Sequence, residues 1–223
     1  MEPYILPLIL LALCATAGYF WGRRKNRWIG AWIAREAEAV LRPQDTQYVN
    51  IGGTIGYHFT YALSPPFREA KGTFALLPRH SILYLPISFL IRRHDRLFLQ
   101  LYTDARLPGE SHILREDYYR RDPERITGGE TMHRDQATVD GRVFVLLWRH
   151  PGQERRLRHL LQRLEGCGET LLHFCCYPGN RNFFFYIAPV HGRLEPLLRA
   201  AVGELTGWLD AGEGDGREDA AGD

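Results

Sequence analysis

The segment Tyr4 to Trp21, YILPLILLALCATAGYFW, runs 18 residues without a charge, and its reading divides the chain. At 1.5 Å rise per residue a helix of that length covers about 27 Å, enough for a hydrocarbon core. Pro7 falls in the first turns, where a missing N–H costs little. Tyr19, Phe20 and Trp21 close the stretch as an interfacial aromatic cluster, and Gly22, Arg23, Arg24, Lys25, Asn26, Arg27 and Trp28 follow directly. A cleaved signal peptide needs positive charge before its apolar run, but only Glu2 stands there. A lipoprotein signal needs a small residue before the modified cysteine, but Leu13 precedes Cys14. The pattern predicts a retained single-pass anchor within residues 1–21. By the positive-inside rule its N-terminus lies outside and the remainder is cytoplasmic, at the plasma membrane in a prokaryote or the endoplasmic reticulum in a eukaryote.

Beyond the anchor, Trp28, Ile29, Trp32, Ile33, Ala37, Val40 and Leu41 recur at helical spacing until Arg42-Pro43. Residues 22–43 therefore read as a basic juxtamembrane segment and amphipathic helix. From Tyr48 the period becomes two. Tyr48 to Ile51 and Thr54 to Leu63 flank Gly52-Gly53 as a hairpin, with further strands at Phe67 to Leu77 and Asp95 to Thr103. Gln136 to Val139 and Arg142 to Arg149 turn through Asp140-Gly141, and Glu169 to Tyr177 and Asn182 to Ile187 turn through Pro178 to Arg181. Pro108 to Glu130 is polar and arginine-rich and gives no clear strand. Helices are expected over 151–165, closed by Gly166, and over 193–209. Residues 44–210 thus form one β-rich α+β domain with a few packed helices, and the glycine-rich acidic run 211–223 reads as a disordered tail.

The 223 residues carry a net charge of +2, too even for a dedicated nucleic-acid binder. Lys25 and Lys71 are the only lysines, a bias that a GC-rich coding sequence produces without selection for arginine chemistry. Cys14, Cys167, Cys175 and Cys176 show neither a CxxC nor a disulfide framework. The nine histidines form no HxH, HExxH or helical i, i+4 pair, so neither a metal nor a cofactor is expected. A cluster of Cys167, Cys175 and Cys176 with His173 is opposed by strand alternation, which sends Cys176 to the other face from His173 and Cys175. No catalytic set nominates itself. An enzyme would need a site assembled from distant residues such as His112, Asp117 and His133.

The unusual segment is Arg79 to Arg93, RHSILYLPISFLIRR. As a helix it confines Ser81, Tyr84 and Ser88 to a narrow stripe, while Ile82, Leu83, Leu85, Ile87, Phe89, Leu90 and Ile91 cover the rest. Two readings stand: a helix buried against the sheet, or an apolar face that meets a membrane or a membrane partner. It is too short to span. In the second reading Arg23, Arg24, Lys25, Arg27, Trp28, Arg92 and Arg93, with Arg96 beyond them, face lipid phosphates.

At the anchor exit, Ala12-Leu13-Cys14, Gly18-Tyr19-Phe20, Gly22, Asn26 and Trp32 resemble the calumin family. These are single-pass, coiled-coil-bearing endoplasmic reticulum proteins of the PAT intramembrane chaperone complex. The order of parts is similar too, down to a late hairpin with a Pro-Gly-x-x-Asn turn, here Pro178, Gly179 and Asn182. The family's acidic lumenal segment and basic coiled-coil tail have no counterpart in this sequence, which puts ribosome contact in doubt. The resemblance implies a non-enzymatic accessory factor or chaperone in multipass membrane-protein insertion. Its partners would be lipids, a small multipass protein and nascent clients. The rivals are a peripheral anionic-lipid-binding scaffold and a tethered enzyme.

Overall fold

The computed structural model describes residues 4–81, 84–92 and 94–210. Helix α1 (Ile5–Leu41) is unbroken across the apolar segment and the amphipathic extension. Its first half has the length and composition to cross a membrane. Its second half buries Gly22, Asn26, Ile29, Gly30, Ile33, Ala37 and Leu41, a stripe at three- and four-residue spacing, until Arg42 turns left-handed and ends it.

The stripe packs on a nine-stranded antiparallel sheet. Strands β1 (Asp45–Asn50), β2 (Gly56–Ala62) and β3 (Phe67–Ala75) form a meander. Helix α2 (Leu85–Arg92) then intervenes before β4 (Arg96–Thr103) pairs with β3. Next in the chain come β5 (Ser111–Arg115), the single turn α3 (Glu116–Tyr119) and the hairpin β6 (His133–Val139) to β7 (Arg142–Trp148). Asp140 and Gly141 both take positive φ, as a two-residue hairpin turn requires. After α4 (Gln153–Arg163), the hairpin β8 (Leu171–Tyr177) to β9 (Asn182–Ile187) inserts between β4 and β5. The spatial order is β1-β2-β3-β4-β9-β8-β5-β7-β6. Last comes α5 (Leu194–Asp210).

Strand β5 corrects the sequence reading, which found no clear strand between Pro108 and Glu130. Its central position makes all but the last residue buried, including Ser111 and His112, so the apolar alternation that marks a half-buried strand is absent. The second half of α1, α4 and α5 cover one sheet face, where Trp208 packs its ring edge-on against Phe174 and Phe183. On the opposite face, a smaller core of Leu114, Ile126, Met132, Val145 and Leu147 sits beneath the segment that links β5 to β6. That segment lies over β5 and β7, and from it Tyr118 reaches His173 of β8 and Tyr186 of β9. Around β4 and β9 the same face stays partly open.

Candidate functional site

Where α1 leaves its apolar half, the backbone of Arg79 approaches so closely that a Cβ on Gly22 would overlap the Arg79 carbonyl. One turn on, the Asn26 amide donates to the Leu77 carbonyl at 2.8 Å and accepts from the Arg79 guanidinium at 3.0 Å. Arg79 also donates to both oxygens of Asp95, at 2.9 and 2.8 Å, and Asp95 accepts the Leu77 N–H at 2.8 Å. The Arg79 and Asp95 side chains are only 14% and 11% exposed. This clamp closes the excursion that carries α2, and it fixes both ends of that excursion to α1. His80 extends it upward, its ring edge-on to Tyr19 at 6.0 Å.

Helix α2 is inverted relative to an ordinary surface helix. Ser88 is its buried residue, at 2%, whereas Leu90 and Ile91 are 81% and 66% exposed. Ile87, Phe89 and the preceding Tyr84 are half-exposed, and Leu85 is partly buried. Ile82, Leu83 and Arg93 lie outside the described residues, and Arg92 closes the helix. Ser88 of the polar stripe read from the sequence thus faces the domain, whereas Ile87, Phe89, Leu90 and Ile91 are exposed.

The basic collar lies on α1 at the same level. Arg23 donates to the Tyr19 hydroxyl at 2.8 Å, Lys25 sits 4.2 Å over the Trp28 ring, and Arg24 and Arg27 are exposed. Trp28 stacks on His191, which also meets Trp32 edge-on. These are apolar bodies with charged tips, the side-chain type favoured at a membrane–water boundary.

The residues nominated for an enzyme do not converge. His133 pairs with Trp148 and stacks on it, and Trp148 pairs with Ser111, so His133 and His112 occupy opposite sheet faces. Asp117 is spent on a bidentate pair with Arg115, at 2.5 and 3.0 Å. His112 instead joins a buried cluster that sequence reasoning missed. Its Nδ1 lies 3.1 Å from His173 Nε2, its Nε2 lies 3.4 Å from Glu110, and Tyr177 meets its ring edge-on. Burial holds the His112 pKa down to about 4 and pushes the Cys175 thiol well above its ordinary value. Among the described residues, no three His, Cys, Asp or Glu side chains group as a metal site.

No protein-family model and no curated protein sequence matches this chain.

Proposed function

We propose that this chain is a membrane-anchored, non-enzymatic accessory factor in the insertion or assembly of multipass membrane proteins. Its domain is cytoplasmic, and α2 is its contact surface for partner or client helices. The inverted α2, clamped beside the exit of the apolar helix, carries this reading. A helix that buries serine and exposes leucine, isoleucine and phenylalanine is stable in place only where those side chains meet something other than water. The clamp holds it where a client's transmembrane segment leaves the hydrocarbon layer. The resemblance to calumin supports the same role, and the collar of Arg23, Arg24, Lys25, Arg27 and Trp28 suits the headgroup layer around it.

Two measurements test this. Phe89→Ser lowers the stability of the chain by well under about 1 kcal/mol, because the ring is already half-exposed; a core phenylalanine would cost roughly 3–5 kcal/mol. In cells, the same substitution lowers the abundance of multipass proteins relative to single-pass ones in quantitative membrane proteomics. Unchanged abundance in cells without the chain would sink the biogenesis role. Photo-crosslinks from position 90 that reach lipid but no protein would instead favour the anionic-lipid scaffold.

A further inference from the structure

On the open side of the sheet, away from α1, the C-terminal end of α2 overhangs a recess of about 270 Å³. Four cationic or titratable side chains converge on it: His94, Arg96, Arg115 and Arg121. Its walls are aromatic, with Phe98 stacked on Tyr186 at 4.8 Å and Tyr118 edge-on to Tyr186 at 5.3 Å. Among the described residues, no carboxylate lines it. Arg115 has its own counter-ion in Asp117. Among the described residues, no carboxylate lies within ion-pair distance of Arg96 or Arg121, and the Nε–H of Arg96 is buried without an acceptor.

We propose that this recess binds a phosphate ester anion through Arg96 and Arg121, with Arg115 and His94 at its border. Arg96 and Arg121, gathered in a half-enclosed hollow with no carboxylate partner among the described residues, repel one another, and a buried donor without an acceptor costs free energy; one bound anion relieves both. The planar guanidinium fork matches phosphate oxygens, and the stacked Phe98 and Tyr186 rings offer a surface for the carbons attached to the ester. The volume falls just below the roughly 300 Å³ at which drug-sized ligand sites begin, so it suits a phosphate with a few attached atoms rather than a nucleotide. The positive field is visible at His94, whose pKa is lowered first by burial and then by Arg96, Arg115 and Arg121, against the opposing pull of Asp95.

The position leaves two sources for that anion. Arg96 pairs with Ala75, two residues before the Leu77 carbonyl that Asn26 holds, and exposed Ile91 forms part of the rim. A phospholipid headgroup therefore comes within reach if α1 spans the bilayer, and a soluble phosphate ester can enter from the open sheet face. This site shares Ile91 with the α2 contact surface, but its arginines lie off that helix and their role does not depend on a client.

The test uses the full chain in maltoside micelles, which contain no phosphate, with the thermal midpoint as readout. One arm adds glycerol 3-phosphate; the other dopes the micelles with short-chain phosphatidylglycerol; sodium chloride at matched ionic strength is the blank. Near tenfold saturation the midpoint rises by about 3–6 °C. Arg121→Gln and Arg96→Gln each remove at least half of that rise, whereas Arg24→Gln on the exposed collar keeps it. Arg121 is exposed and has no ion-pair partner among the described residues, so its variant folds normally. A rise with the lipid alone assigns the headgroup as ligand, and a rise with glycerol 3-phosphate assigns a soluble ester. No rise in either arm, or a rise that both recess variants retain, overturns the site.

Discussion

Asp95→Ala destabilises the chain by about 3–5 kcal/mol, the range for removing one partner of a buried ion pair. The substitution leaves the Arg79 guanidinium enclosed without its carboxylate, and it also strips the Leu77 N–H of its acceptor. Asn26 cannot compensate, because its one carbonyl oxygen already accepts from Arg79. Denaturant titration in micelles measures the loss. A mechanical consequence accompanies it: with the excursion unlocked, limited proteolysis cuts between residues 79 and 95 well before the sheet unfolds. A double change of Arg79→Leu with Asp95→Leu regains much of the stability, since the unpaired buried charge is the main cost. A loss below about 1 kcal/mol for Asp95→Ala would mean that the pair is solvated, and that α2 is not rigidly tied to α1.

That clamp shows where sequence reading stops. The apolar N-terminal helix, its amphipathic extension and the hairpins at Asp140-Gly141 and Pro178 to Arg181 are local signals, set by periodicity and turn residues a few positions apart. The apolar character of α2 was equally plain, with Ser81, Tyr84 and Ser88 on a stripe. Which side of that stripe turns inward is a tertiary matter, because it depends on Asp95 reaching back across the loop to Arg79 and on Asn26 reaching from another helix. Strand β5 was illegible for a related reason. Flanked on both sides by β7 and β8, it buries Ser111 and His112 beside Ile113 and Leu114, so polarity ceases to mark exposure. The phosphate recess is less legible still. Arg96, Arg115 and Arg121 come together only because the β8–β9 hairpin, late in the chain, inserts between β4 and β5. The enzyme candidates His112 and His133 failed on the same topology, since the register that joins β5, β7 and β6 places them on opposite faces.

The buried His112 cluster makes the fold acid-sensitive above the range of ordinary carboxylates. The ring is 1% exposed, and burial drives its pKa in the folded chain to about 4 from an ordinary 6.5. The neighbouring Glu110 carboxylate pulls upward without prevailing, and Arg149 adds to the depression. Above pH 6.5 the imidazole is neutral in both the folded and unfolded chain, and its contribution to stability is fully present. As pH falls from 6.5 to 4 the unfolded chain takes up a proton that the folded chain refuses, so stability declines through that window and levels off below it. A depression of about 2.5 units corresponds to roughly 3 kcal/mol over the window. His94, with its own lowered pKa, acts in the same direction, and Glu110, held below its usual value, adds its loss only at lower pH. The His112 share is therefore read as a difference. Denaturant titrations of the parent chain and of His112→Gln, at pH 7.5, 5.5 and 4.0, show the variant much less stable at pH 7.5, where it forfeits the contact with His173. That gap narrows by roughly 3 kcal/mol by pH 4.0, because glutamine takes up no proton in either state. A gap that stays constant within about 0.5 kcal/mol across the three values would show that the folded chain protonates His112 as readily as the unfolded one, and that water reaches the cluster beneath the β5–β6 segment.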